Sequence, residues 1–301
     1  MTTLNLEGTF TALVTPFTND EVDYPVLGHF VERQIAGGIS GLVPVGTTGE
    51  SPTLSHKEHL EVMRFVVETV NGRVPVIAGT GSNSTSEARG YTKTATDLGV
   101  DGCLQVAPYY NKPSQEGLYR HFATLAETTE KVQVLYSVPS RCGVEIEVET
   151  VRRLLKDYPH VCAIKEAGGD IEKVKRLRDA CGSDLKIISG DDGLIVPFIE
   201  EGGCGVISVA SNLAPRLVQR ITQTALSGDF EAARALAKTH EALLGELVFI
   251  EGNPVTIKTV LDETGVLSPY SVRLPLCEMS AGNLARVRTL LANLDLGEDA
   301  S

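Results

Sequence analysis

Val161-Cys162-Ala163-Ile164-Lys165, followed by Glu166-Ala167-Gly168-Gly169, has the length and β-branched content of a buried strand, stopped by two glycines before a helical pattern begins. Seven other runs share its form: Thr9–Val14, Gly41–Val45, Val74–Ala78, Gly102–Ala107, Val132–Ser137, Leu185–Ser189 and Gly205–Val209. Amphipathic stretches separate them, among them Lys57–Val70, Thr85–Leu98, Gln115–Thr128 and Ile171–Ala180, with Ser55 and Ser114 placed as N-caps. Strands and helices alternating at a spacing of roughly 20 to 30 residues predict parallel βαβ units. Eight such units make a (β/α)8 TIM barrel, an α/β fold of about 250 residues. An open doubly wound sheet is the second reading, and it usually has fewer strands. From about Gly228 the pattern turns purely helical, through Glu231–Leu247, Val255–Asp262 and Ala281–Leu294. The expected division is therefore a barrel over 1–228, carrying the active site, and a C-terminal helical appendage over 229–301.

The bulk properties exclude several classes. A chain of 301 residues can bury a full core, and a formal charge of −12 argues against nucleic acid or an anionic membrane as partner. No apolar stretch reaches the ~18 residues of a membrane span, and Met1 to Phe10 lacks the basic start and apolar core of a signal peptide. The six cysteines form no C-x-x-C pair, and Cys103, Cys162 and Cys204 lie in apolar runs. They read as reduced packing residues of a cytoplasmic protein.

In a barrel of this kind chemistry sits where the strands end. Those ends carry Thr15, Thr47, Thr48, Thr80, Tyr109, Tyr110, Tyr136, Lys165, Gly190, Asp191 and Ser208. Alternate strand residues share a face, so Lys165 points with Ala163 and Val161. An amine on an apolar face is costly to charge, and a neutral amine in a dry pocket can attack a carbonyl. The structural alternative is a lysine that snorkels out at a strand end. A mouth of hydroxyls and one lysine, with hardly any histidine or carboxylate, fits imine chemistry with hydroxyls relaying protons. It does not suit a metal, and no cofactor is expected.

Gly46-Thr47-Thr48-Gly49-Glu50-Ser51 follows a strand and precedes a helix, where tight glycine turns, N–H groups and two hydroxyls make a concavity suited to a carboxylate. Without a lysine it is not a phosphate loop, although an ordinary turn would look the same. Gly79-Thr80-Gly81 has Ser84 where a dinucleotide fingerprint needs its third glycine, so a nicotinamide site is discarded. In Tyr136-Ser137-Val138-Pro139-Ser140-Arg141, Tyr136 shares a strand face with Val132 and Val134 and is placed to lean in beside Lys165. Its phenol would shuttle a proton, unless it merely caps the core. Arg141 offers a planar fork for a carboxylate, if it is not simply solvated. His56 and His59 stand at a helix start with no third metal ligand nearby, so surface histidines or a small-molecule contact are expected.

Taken together, these strings resemble the dihydrodipicolinate synthase branch of the pyruvate-dependent class I aldolase superfamily. The similar segments are Gly46–Ser51, Pro75–Gly81, Pro108–Gly117, Tyr136–Arg141, Ile164–Ala167, Ser189–Asp192, Gly205–Ser208 and Arg273–Pro275. Lys165 with the Gly46–Ser51 string implies only a pyruvate Schiff base. The Pro108–Gly117 and Val138–Arg141 strings select the synthase. The resemblance implies a lyase that condenses pyruvate with L-aspartate 4-semialdehyde on the route to diaminopimelate and lysine. Lys165 would form the imine, with Tyr136, Thr47 and Tyr110 as a proton relay, Tyr110 reaching across a dimer interface. Thr47 and Thr48 would seat the pyruvate carboxylate, Arg141 would hold that of the second substrate, and Gly190 and Ile207 would line the pocket.

The resemblance further implies a homotetramer built as a dimer of dimers. It also implies feedback inhibition by lysine at Ser51, His56, His59, Asn83, Glu87 and Tyr109. Three positions depart from the commonest family pattern: Ser137 for asparagine, Cys142 for threonine and Pro52 for alanine, the last beside the effector positions. A sugar-acid aldolase of the same superfamily and a non-catalytic paralogue sensing lysine or pyruvate are the alternatives. The first fits the Val138–Arg141 string less well, and the second leaves the retained lysine, tyrosines and threonines without a use.

Overall fold

The computed structural model describes residues 4–299. Eight parallel strands alternate with helices: β1 Gly8–Ala12, α1 Tyr24–Ala36, β2 Gly41–Val43, α2 His56–Val70, β3 Ile77–Gly79, α3 Thr85–Leu98, β4 Gly102–Val106 and α4 Gln115–Ala126. The series continues with β5 Val132–Ser137, α5 Val148–Asp157, β6 Ala163–Glu166, α6 Ile171–Cys181, β7 Lys186–Ser189, α7 Ile195–Glu200, β8 Gly205–Ser208 and α8 Pro215–Leu226. The sheet runs β2-β1-β8-β7-β6-β5-β4-β3, and a parallel bridge between Leu42 and Val76 joins its two ends. The expected TIM barrel is thus formed and closed. Beyond it lie α9 Phe230–Thr239, α10 Val255–Glu263 and α11 Ala281–Leu291.

Strand parity sorts the side chains. Phe10, Ala12, Val43, Leu104, Val134 and Ile207 fill the barrel core, and Gly41 is required because a Cβ there would lie 2.3 Å from the Phe10 ring. Thr9 and Thr11 face the helices, where Thr9 Oγ1 donates to Thr222 and Thr11 Oγ1 to Gln34. A larger cluster, including Val31, Val62, Val66, Leu217 and Ile221, packs the helices onto the outer wall. The Ser55 and Ser114 caps form as expected, Ser55 in a reciprocal capping box with Glu58.

The observed boundaries differ where the backbone has another use. The run Gly41–Val45 stops pairing at Val43 because Val45 turns to a left-handed φ of 50°. Val74–Ala78 begins pairing late: Pro75 has no N–H, and the Val76 N–H is taken by the Asp101 carboxylate at 2.9 Å. The expected helix Glu231–Leu247 ends at Thr239 and continues as a wide π turn, Ala242–Glu246, then a tight turn, Leu247–Phe249. The wider turn shifts the helical phase, so that Leu243, Leu244, Leu247 and Val248 are all buried.

His121, on α4, is buried, with Nδ1 against Thr85 Oγ1 at 2.8 Å. Burial pushes its imidazole down to about 4. Below the unfolded value of ~6.5 the unfolded chain takes up a proton that the folded chain refuses. Stability therefore falls as the pH drops from about 6.5 towards about 4. Urea titrations across this window should show a smaller acid loss for His121→Gln than for the parent, and equal losses would refute the assignment.

Candidate active site

In the parallel pairing of β5 with β6, Tyr136 stands opposite Lys165, and register partners present their side chains on the same face. Both are buried, and the Lys165 Nζ lies 4.3 Å from the centre of the Tyr136 ring. They line a cavity of about 200 Å³ together with Thr47, Thr48, Arg141, Gly190 and Ile207. Seven of the residues singled out in the sequence thus share one space, although they come from six parts of the chain. Tyr110 does not join them. It is 91% exposed, with φ at 73°, and its ring lies outside this cavity.

The loop carrying Thr47 and Thr48 is strained and tied from below. Val45 at φ 50° and Glu50 at φ 55° bracket it, and the Glu50 and Ser51 N–H groups donate to Thr47 and Gly46 carbonyls. The Glu50 side chain is fully buried and accepts a hydrogen bond from the equally buried Lys258 ammonium on α10. Its other oxygen accepts from Thr53 Oγ1 and the Arg273 N–H, both at 3.2 Å. Lys258 also donates to the Ser271 carbonyl and lies over the Phe17 ring. Burial pushes the Lys258 ammonium down to about 8, against the pull of Glu50. Arg273 completes the joint with a salt bridge to Glu58 at 2.6 Å.

Arg141 sits in the short helical turn Pro139–Cys142 after β5, and its Nη2 donates to the Asn253 carbonyl at 3.2 Å. Cys142 fixes that turn by donating its thiol to the Ala107 carbonyl at 3.1 Å, and burial pushes the thiol up to about 11. Ser137 has the opposite parity to Tyr136. It faces the helices, within 3.4 Å of the Lys173 ammonium, and does not touch the cavity.

The expected ring of hydroxyls is only half formed. Ser208 shares the outer parity of Thr11 and donates to Asp192; Thr80 accepts from Thr92 on α3; Thr15 donates to the Gly49 carbonyl. These three serve the wall. In their place the cavity has two carboxylates, Asp191 and Asp192, and a roof of Val248, Phe249 and Asn253 from beyond the barrel. Among these, Asp191 had a sequence signal in its place at a strand end, and Asp192 only in closing the Ser189–Asp192 string. The roof residues carried none, because they fall in the short connection between the expected helices Glu231–Leu247 and Val255–Asp262, away from any strand end. Among the described residues no three His, Cys, Asp or Glu side chains group as a metal site would need.

A second polar patch forms between α2 and α3. His56 pairs with Glu87 at 2.7 Å, and His59 is buried, bonded through Nε2 to the Gly79 carbonyl and stacked on Tyr91 at 4.2 Å. Burial pushes His59 below its ordinary value, while burial, Glu87 and then Tyr109 push Tyr91 up to about 12. Asn83 accepts at its carbonyl from Asn111, and Ser51 opens the turn Ser51–Thr53 that leads into α2. Tyr91 is a member of this patch that sequence reading missed, since it sits mid-helix at a core-like spacing.

Residues 5–294 match the model of the Dihydrodipicolinate synthetase family. The chain is similar to the 4-hydroxy-tetrahydrodipicolinate synthase of Methanococcus maripaludis strain C6, at 47% identity over 97% of this chain and 99% of that one. It is similar in structure to the 4-hydroxy-tetrahydrodipicolinate synthase of Methylacidiphilum fumariolicum SolV, with a TM-score of 0.94 and 47% identity over 96% of each chain. The enzyme of Cyanidioschyzon merolae, solved with lysine bound, superimposes with a TM-score of 0.91 at 38% identity, over 95% of this chain and 97% of that one.

The buried pair beneath the loop gives a direct test of how the site is held. Removing one partner of a buried ion pair strands the other charge and typically costs about 3–5 kcal/mol, whereas replacing both is often near neutral. Lys258→Met should therefore lose stability of that order in urea titrations, and Glu50→Gln added to it should recover most of the loss. Additive losses would show that the two side chains do not act as a pair.

Proposed function

This chain belongs to the dihydrodipicolinate synthetase family, and we propose that it condenses pyruvate, held as an imine on Lys165, with L-aspartate 4-semialdehyde to give 4-hydroxy-tetrahydrodipicolinate. The observation that carries this reading is the register pairing that seats a buried amine beside a phenol, in a cavity shared with Arg141. It is a lyase of the class I aldolase type. Lys165 attacks the ketone of pyruvate, the carbinolamine loses water, and the protonated imine lets a methyl proton leave as the enamine forms. The enamine carbon attacks the aldehyde, and the substrate amine then displaces Lys165 as the ring closes. The imine cation stabilises the developing carbanion, so the chemistry needs no metal.

In this reading Thr47 and Thr48 seat the pyruvate carboxylate, Gly190 and Ile207 line the pocket, and Arg141 holds the carboxylate of the aldehyde. Tyr136 and Thr47 move protons with Tyr110. An aromatic ring held out in solvent at a left-handed φ supports a role in a neighbouring subunit, since a tyrosine rarely adopts that backbone without a use. The assembly is then at least a dimer, and a homotetramer as a dimer of dimers. The barrel, 1–228, carries the reacting groups and 229–301 roofs them. Among the described residues no helix is long and apolar enough to cross a membrane. The cytoplasm is the compartment this reading assigns to a biosynthetic enzyme of this kind.

Lysine inhibition belongs to the same reading. Glu87 offers a carboxylate to an ammonium, and Ser51, His56, His59, Asn83 and Tyr109 offer polar partners around it. Tyr109 adjoins Tyr110, so an effector that holds it would bias the relay. If the two binding events are coupled, pyruvate and lysine alter each other's affinity equally.

Two measurements test the proposal. Borohydride with pyruvate should modify Lys165 alone, as read by peptide mapping, and Lys165→Arg should cost several orders of magnitude in turnover. Label on another lysine would defeat the mechanism. Free lysine should inhibit the parent, and Glu87→Ala should weaken both inhibition and lysine binding. Full activity in millimolar lysine, or inhibition indifferent to Glu87→Ala, would remove the effector site.

A further inference from the structure

Two carboxylates line the catalytic cavity, and only one is spent. Asp192 is fully occupied: one oxygen accepts from Ser208, the other from the Val209 and Ala210 N–H groups at 3.0 Å. It holds the β7 and β8 ends together. Asp191 is different. One of its oxygens accepts from the Gly193 N–H at 2.9 Å, which sets its rotamer, and the residue lines the same cavity as Lys165 and Arg141. Among the described residues no lysine or arginine pairs with it, and burial raises its pKa above the usual range, opposed only by the Gly193 N–H. The preceding residue packs close to the nucleophile: a Cβ on Gly190 would lie 3.0 Å from Lys165 Cε.

A half-buried carboxylate without a counter-charge is poorly placed until a cation arrives. On the function proposed above, the second substrate brings one. It carries an aldehyde, which must reach the enamine at Lys165, a carboxylate, for which Arg141 is available, and an ammonium. Asp191 is the one charged group of the cavity lining left without a task. The ammonium must also lose a proton before its nitrogen can act as a nucleophile, and a desolvated carboxylate is a stronger base than a solvated one.

We propose that Asp191 receives the ammonium group of the second substrate and takes its proton when that amine displaces Lys165. The Asp191 carboxylate accepts one proton from the ammonium, and the freed lone pair forms the bond from nitrogen to the imine carbon. A second proton passes from the new ring nitrogen to Nζ. The carbon–Nζ bond then breaks with its electron pair staying on Nζ, which frees neutral Lys165 and leaves the ring as a cyclic iminium. The proton on Asp191 returns to water. The same carboxylate thus selects for an aldehyde that carries an α-amino acid group and drives the release step.

The test compares two aldehydes of one length. L-Aspartate 4-semialdehyde has the amine; succinic semialdehyde lacks it. Asp191→Asn should lower kcat/KM for the amino aldehyde by roughly ten- to a hundredfold, the usual effect of losing a charge-assisted contact. It should leave borohydride trapping of the pyruvate imine, and the rate of adduct formation with succinic semialdehyde read by intact mass, at parent levels. The acidic limb of the kcat/KM profile for the amino aldehyde should disappear in Asp191→Asn, and Asp191→Glu should restore part of the rate. Equal slowing with both aldehydes, or loss of the pyruvate imine, would mean that Asp191 only shapes the loop and would overturn the inference. Turnover of the amino aldehyde unaffected by Asp191→Asn overturns it as well. Failure of the parent enzyme with L-aspartate 4-semialdehyde would overturn the proposed function and this inference together.

Discussion

The buried ion pair between Glu50 and Lys258 is the constraint around which the site is built. Neither side chain reaches solvent, so each charge is tolerable only because the other is there. The remaining polar capacity is filled by Thr53, the Arg273 N–H and the Ser271 carbonyl, as a buried charged network requires. Glu50 ends the loop that presents Thr47 and Thr48, while Lys258 lies on a helix more than two hundred residues later, |i−j| being 208. The pair therefore ties the helix that carries Lys258 to the loop at the cavity's edge. Phe17, between Lys258 and Arg273, brings the short antiparallel pair Phe17–Thr18 and Glu21–Val22 into the same joint.

Strand parity does the second part of the work. On β6 the inward Lys165 is followed by the outward Glu166, which pairs with Lys173 of α6 at 2.7 Å. Lys173 reaches Glu145 as well, at 2.6 Å. A slip of one residue would exchange the faces, burying a carboxylate in the barrel and turning the amine towards the helices. The outer ion pair thus opposes the error that would turn Lys165 away from the cavity. Similar logic places Ser208 and Thr11 outside and Ile207 and Phe10 inside.

The cavity is polarised. Its basic groups are Lys165 and Arg141, its acidic groups Asp191 and Asp192, and the walls between are apolar: Ala12, Val43, Leu104 and Ile207. Such a space suits a small zwitterion better than a simple anion. It is closed by Val248 and Phe249, from the tight turn that follows the π turn, and by Asn253, from the connection between that turn and α10. Irregular backbone there lets Asn253 turn its carbonyl to Arg141.

The barrel was legible in the sequence because eight strands and their helices are local patterns, each written in a short stretch with its own periodicity and caps. Lys165, Tyr136, the Thr47-Thr48 loop and Arg141 were legible for a related reason: strand ends are where a barrel places its chemistry, and those ends follow from the pattern. Sequence alone did not separate the hydroxyls that face the cavity from Thr15, Thr80 and Ser208, which serve the wall, because a place at a strand end does not by itself fix which face the side chain takes once the backbone leaves the ladder. Nor did it reveal that Asp191 stands unspent beside Asp192, or that Asn253 and Phe249 roof the site. Those facts rest on contacts across the chain, from β7 to β8 and from α10 to the second strand's loop. Only packing decides which buried polar group finds a partner and which is left facing the substrate, since desolvation depends on what surrounds a side chain and not on its neighbours in sequence.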